Sequence, residues 1–157
     1  MRLESSVVIR RTPQDVWTFL GSLENVPKWD RGVAGVRQTS QGNQGVGMEF
    51  QTLGYGKSAD EVKAGRMSYR IAKADPIEGC TVELTNADGN ARFFRTASWN
   101  FRVDPVPEGS RVTCVAEFTL RLAYLFLGPV LYVKRNAIQF DLEGLKRVLE
   151  APQTSPS

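Results

Sequence analysis

At 157 residues the chain has the size of one domain, long enough to bury roughly two thirds of the surface its unfolded form exposes. Lys and Arg total 20 against 17 Asp and Glu, a net charge of +3 spread from Arg2 to Arg147, which excludes the basic footprint of a nucleic-acid binder. There is no histidine, and Cys80 and Cys114 fall in separate predicted strands, so a metal site, a cofactor and a disulfide framework are not expected; free thiols in a reducing compartment are.

Residues Leu3 to Arg10 alternate loosely around Val7, Val8 and Ile9 and predict a first strand. Thr12 then caps a helix opened by Pro13, with Asp15 in the first turn and Val16, Trp17, Phe19 and Leu20 on the buried side. Leu23 to Val26 reads as a second helical piece stopped by Pro27. Two small helices in succession plug one end of a sheet better than they cover its face, and Trp29 is the expected plug.

From Val33 the period becomes two. Val33 to Thr39 and Val46 to Leu53 predict a hairpin whose turn runs from Gln41 to Gly45. Gly42, Gly45 and Gly47 read as turn and bulge glycines, because no GK(S/T) follows them. Gly54 and Gly56 place Tyr55 at a bend, and Ser58 to Ala64 suggests an edge strand. Met67 to Lys73 is a strand ended by Asp75-Pro76, and Cys80 to Thr85 is another, closed by a turn at Asp88-Gly89. Ala91 to Val103 sets Phe93, Arg95, Ala97, Trp99 and Phe101 on one face. Asp104 to Ser110, with Pro105, Pro107 and Gly109, reads as a connection. Arg111 to Arg121 then sets Val112, Cys114, Ala116, Phe118 and Leu120 on one face, as in an antiparallel sheet with one wet side.

The tract LAYLFLGPVLYV between Arg121 and Lys134 is 12 residues long, too short to span a bilayer; a ligand entrance, a protein contact and ordinary core are three open readings of it. The opening MRLESSVVIRRT carries charge and alternation where a signal peptide has an apolar run, so a cytoplasmic protein without stable membrane insertion, monomeric or homodimeric, is expected. A last helix is predicted from Pro129 to Leu149, its apolar residues, Ile138 among them, covering an arc of roughly 200°. That is about twice what a helix needs to lie on one core face. Asp141 projects inside this arc, with Lys134 two turns earlier. A buried carboxylate persists when paired or hydrogen-bonded, so Asp141 either meets Arg66, Arg95 or Lys134 or points into a polar-tipped cavity.

This order of elements resembles the helix-grip fold, an α+β arrangement in which a curved antiparallel sheet of six to seven strands wraps a long C-terminal helix and two short helices follow the first strand. The stretches VVIRRTPQDVWTFLGSLENVPKWDRGVAGV, GVGMEF and GSRVTCVAEFTL are similar to the START-related SRPBCC superfamily, particularly its polyketide cyclase/dehydrase-like members. The resemblance spans residues 1–150 as one ligand-binding domain and leaves 151–157 as a tail. It implies a cavity between sheet and helix for a hydrophobic or aromatic small molecule, polyketide-like or lipid-like. Tyr69, Arg95, Trp99, Phe118, Ile138 and Asp141 are the candidate ligand contacts. Cyclase or dehydratase activity and non-enzymatic lipid or isoprenoid carriage are both open at this point, with no catalytic residue assigned.

Overall fold

The computed structural model describes residues 1–55, 66–75, 77–85, 93–133 and 136–152. The predicted edge strand from Ser58 to Ala64, the Asp88-Gly89 turn, the opening of the strand predicted from Ala91, Lys134 and residues 153–157 lie outside the described residues.

Strand β1 (Arg2–Ile9) leads into α1 (Pro13–Leu20), whose first turn is capped as its sequence dictates: Thr12 Oγ1 accepts from the Asp15 amide at 3.2 Å. A 3-10 turn (Leu23–Asn25) and α2 (Val26–Trp29) follow. The remaining strands are β2 (Gly35–Gln38), β3 (Glu49–Leu53), β4 (Met67–Asp75), β5 (Gly79–Leu84), β6 (Phe94–Val106) and β7 (Gly109–Leu120). They form one sheet in the order β1-β7-β6-β5-β4-β3-β2, antiparallel at every pairing described. A 3-10 segment (Leu122–Leu127), α3 (Gly128–Val133) and α4 (Ala137–Glu150) complete the chain. The result is the helix-grip architecture.

The helix expected from Pro129 to Leu149 is described over Gly128–Val133 and Ala137–Glu150, with residues 134–135 between them outside the described residues. Two expectations need correction. Pro105 lies within β6 rather than in a connection. The hairpin turn is only Pro107-Glu108, and Pro105 pairs with Ser110 beyond the point where β5 stops pairing, so no neighbour asks for its missing N–H. The second correction concerns Arg95. The register of β6 against β7 shifts between Phe94 and Thr96, and this irregularity turns Phe94 inward, 6% exposed, while Arg95 is exposed.

The filled core lies where α1, α2 and α4 meet β1, β6 and β7, and comprises Ile9, Val16, Trp29, Val103, Val112, Cys114, Leu142 and Leu145. Two glycines let backbone approach backbone there. A Cβ at Gly144 of α4 would lie 2.6 Å from the Trp29 carbonyl oxygen, and one at Gly109, whose φ is +138°, would lie 2.3 Å from that of Ile9. The C-terminal turns of α4 are tied to β1: Lys146 Nζ donates to the Val8 carbonyl at 2.6 Å, and the Arg10 amide donates to Glu150 Oε1 at 2.8 Å.

Candidate functional site

Residues directly opposed in a ladder share a face. The pairs Phe50 with Tyr69, Tyr69 with Leu84, Val82 with Trp99, Trp99 with Ala116 and Ala97 with Phe118 therefore assign one continuous face running from β3 to β7. The buried Ala97 and Ala116 identify it as the inner face. Along it the aromatic rings touch in sequence. Phe50 stacks on Tyr69 with centroids 5.4 Å apart, Tyr69 meets Trp99 edge-on at 5.6 Å, Trp99 meets Phe118 edge-on at 5.5 Å, and Phe118 stacks on Phe94 at 5.3 Å. Such contacts fix ring orientation as well as burying area.

Polar groups gather at the Tyr69 end of this row. Tyr69 Oη donates to Met67 Sδ at 3.4 Å, and the buried Thr52 is a further hydrogen-bond partner. Burial first, and the negative charge of Asp30 second, hold the Tyr69 phenol well above its ordinary range, so it stays protonated and able to donate. Asp30 closes α2, and its Oδ1 accepts from the Gly32 amide at 2.8 Å. Burial raises the Asp30 carboxyl, and the Gly32 hydrogen bond offsets this in part.

Asp141 of α4 is near enough to feel the same charge. Burial first and Asp30 second push it up to about 6, against the lowering effects of a hydrogen bond from the Arg31 amide and of the Arg31 charge. On the sheet side Cys114 is pushed up to about 12, by burial and then by Asp141, which leaves a neutral thiol of no use as a nucleophile. Two carboxyls, one just after α2 and one on α4, thus lie close enough for their charges to interact, and between them act on side chains of β4 and β7. Among the described residues no ion pair involves either of them. Both carboxyls are held above their ordinary range, so Asp141 can donate a hydrogen bond when protonated and accept one when ionised.

Of the candidate ligand contacts, Tyr69, Trp99 and Phe118 lie together in the aromatic row, Ile138 packs half-buried against the core cluster, and Asp141 stands across from Asp30. Arg95 does not join them; the shift in β6 puts Phe94 in the row in its place. Arg66 and Arg95 do not pair with Asp141, which has Arg31 as its cationic neighbour instead. Asp30 and Thr52 are additions that the sequence reading does not single out. Asp30 follows the plug residue Trp29, which packs edge-on against Phe101 at 6.0 Å, and that adjacency is its only signal.

An open depression of about 310 Å³, lined by Trp29, Asp30, Arg31 and Tyr55 among others, gives solvent a way to Asp30. A larger cleft of about 810 Å³ lies elsewhere, between α1 and the end of α4, bordered by Arg11, Asp15, Phe19, Val148 and Leu149. It contains none of the candidate contacts and no facing pair of acids, so size does not make it the better site.

Residues 1–150 match the profile of the family described as polyketide cyclase/dehydrase and lipid transport. The chain belongs to that family. Membership supports a hydrophobic-ligand-binding role in general. Solved structures agree on the fold. The di-domain aromatase/cyclase BexL from the BE-7585A biosynthetic pathway superposes with a TM-score of 0.74 at 13% identity, over 99% of this chain and 48% of that one. TTHA0849 from Thermus thermophilus gives 0.71 at 13% identity, over 98% and 100%. Norcoclaurine synthase from Thalictrum flavum, in complex with dopamine and hydroxybenzaldehyde, gives 0.70 at 12% identity, over 98% and 89%. No curated protein matches the sequence.

Proposed function

We propose that the protein binds an extended hydrophobic or aromatic small molecule, polyketide-like or lipid-like, against the inner face of the sheet, with its polar end toward Asp30, Asp141 and Tyr69. The observation that carries this reading is the row Phe50, Tyr69, Trp99, Phe118 and Phe94, ended by polar groups, which is the composition of a small-molecule site: apolar walls with a few convergent polar atoms. The test is titration with an environment-sensitive apolar dye, followed by displacement with candidate polyketides and lipids. Trp99→Ala should weaken dye binding by about tenfold, because it removes the ring at the middle of the row. Unchanged binding in a folded variant would remove the row from the site.

Proton transfer on the bound molecule, the cyclase or dehydratase reading, is favoured over simple carriage by one observation. Asp141 has a carboxyl held at about 6 beside a second acid, the range in which a group can both give and take a proton. Asp141→Asn keeps the shape and deletes the acid. Turnover of a true substrate should then fall by roughly 100-fold with dye affinity nearly constant. Unchanged turnover per folded molecule would leave carriage as the function.

A further inference from the structure

The segment joining β7 to α4 presents apolar side chains to solvent. Leu122 is 87% exposed and Phe126 71%, and Leu125, Val130 and Tyr132 are each more than half exposed, as is Phe140 in the first turn of α4. The 3-10 segment runs into α3 without a break, and Leu122 and Leu125, three residues apart, share one side of it, with Phe126 next to Leu125 and Val130 four residues on from Phe126. Single exposed apolar residues are ordinary; a contiguous stripe of them marks a surface that meets something.

Charge narrows what that something is. Between Glu117 and Asp141 the sequence has no acidic residue but has Arg121, Lys134 and Arg135. Arg121 at the head of the segment donates through Nε to the Phe94 carbonyl at 3.2 Å, which brings it to the strand end that also carries the exposed Arg95. Tyr124 and Tyr132 add rings with polar tips, the residue type that settles where apolar and wet phases meet.

We propose that this face docks reversibly on the surface of an anionic lipid bilayer, its apolar side chains at the acyl boundary and the exposed Arg95 at the headgroups. A second copy of the chain is disfavoured, because an isologous contact would bring two acid-free, cationic segments together. A nucleic acid is disfavoured because the stripe offers leucine and phenylalanine where phosphates need donors. No helix among the described residues is long and apolar enough to cross a membrane, so the contact is interfacial. This inference is independent of which molecule the inner face holds.

The test is co-sedimentation of the full chain with vesicles of phosphatidylcholine alone and of phosphatidylcholine mixed with phosphatidylserine. Binding should appear with the mixed vesicles, weaken as salt rises, and fall by about 25-fold in Arg95→Glu, from about fivefold for each of the two charge steps at an anionic surface. The double variant Leu122→Ser/Phe126→Ser should lose it, with an unfolding midpoint close to that of the parent because both side chains are exposed. If the double variant is destabilised, the Arg95→Glu and salt series still decide, since neither alters the apolar stripe. Equal affinity for neutral vesicles, no sedimentation with either kind, or a dimer in analytical ultracentrifugation that the double variant dissolves would each overturn the proposal, the last by assigning the face to a second copy.

Discussion

The two ends of the sheet treat apolar residues in opposite ways. Where α1, α2 and α4 meet β1 and the β6-β7 hairpin, Ile9, Val16, Val112 and Leu145 have no exposed surface at all. Where the 3-10 segment and α3 leave β7, Leu122, Leu125, Phe126 and Val130 stand more than half in water. Helix α4 spans both regimes: Leu142 and Leu145 are sealed, Ile138 is half-buried and Phe140 is mostly exposed. Backbone approach separates the ends more than residue type does. Gly144 and Gly109 allow main chain to close on main chain at the first end, and the glycine that opens α3, Gly128, has nothing within 4 Å of where a Cβ would sit.

Truncation along one helix is the most direct way to break this comparison. Leu145→Ala should cost about 3 kcal/mol, as deletion of a fully buried leucine leaves a cavity its neighbours cannot fill, whereas Phe140→Ala should stay within about 0.5 kcal/mol. Chemical denaturation of the two variants measures both, and similar losses would mean that the two ends are equally packed. Next in size is Gly144→Ala. Helix propensity alone favours the alanine by about 1 kcal/mol, but its Cβ would press on a backbone oxygen that has no rotamer to escape into, so a net loss of about 2 kcal/mol is expected. A stabilised variant would show that α2 and α4 are free to part.

The smallest effect sharpens the comparison at the acid pair between the two ends. Asp141 is raised from its ordinary 3.8 to about 6, so the folded state keeps a proton that the unfolded chain has released. Its titration therefore favours the fold at acid pH, and that contribution is lost as pH climbs through this window. Asp141→Asn should be more stable than the parent near neutrality by about 1 kcal/mol, allowing for solvent screening of a part-exposed group, with the gap closing toward pH about 4. Unfolding midpoints across that range give the answer. A variant less stable at neutral pH would reveal an ion pair holding the carboxylate.

Much of the fold was legible because its signals are local. The Thr12-Pro13 start, the change to a period of two after Val33 and the apolar stripe of the last helix each act within a few residues. What escaped depends on distant chain. Asp30 becomes a partner of Asp141 only when α2 is pressed against α4, and nothing near Trp29 announces it. Alternation put Arg95 beside Trp99, but one irregular step in β6 reverses which residue faces in, and no composition rule marks where a ladder will slip. Pro105 misled in the other direction: proline ends a strand when a neighbour needs its donor, and β5 stops short of it.

The bonds from α4 to β1 also bear on how the molecule behaves in a crowded solution. β1 is the last strand of an open sheet, and the atoms that Lys146 and Glu150 occupy, the Val8 carbonyl and the Arg10 amide, are two residues apart and so lie on one edge of the strand. An incoming extended peptide would find those template positions taken, and a helix end in its path. The opposite border, β2, is only four residues long and carries Arg37, too short and too charged a ledge for a stranger to build on. The sheet is open in topology, yet neither border invites the edge-to-edge addition by which sheets aggregate.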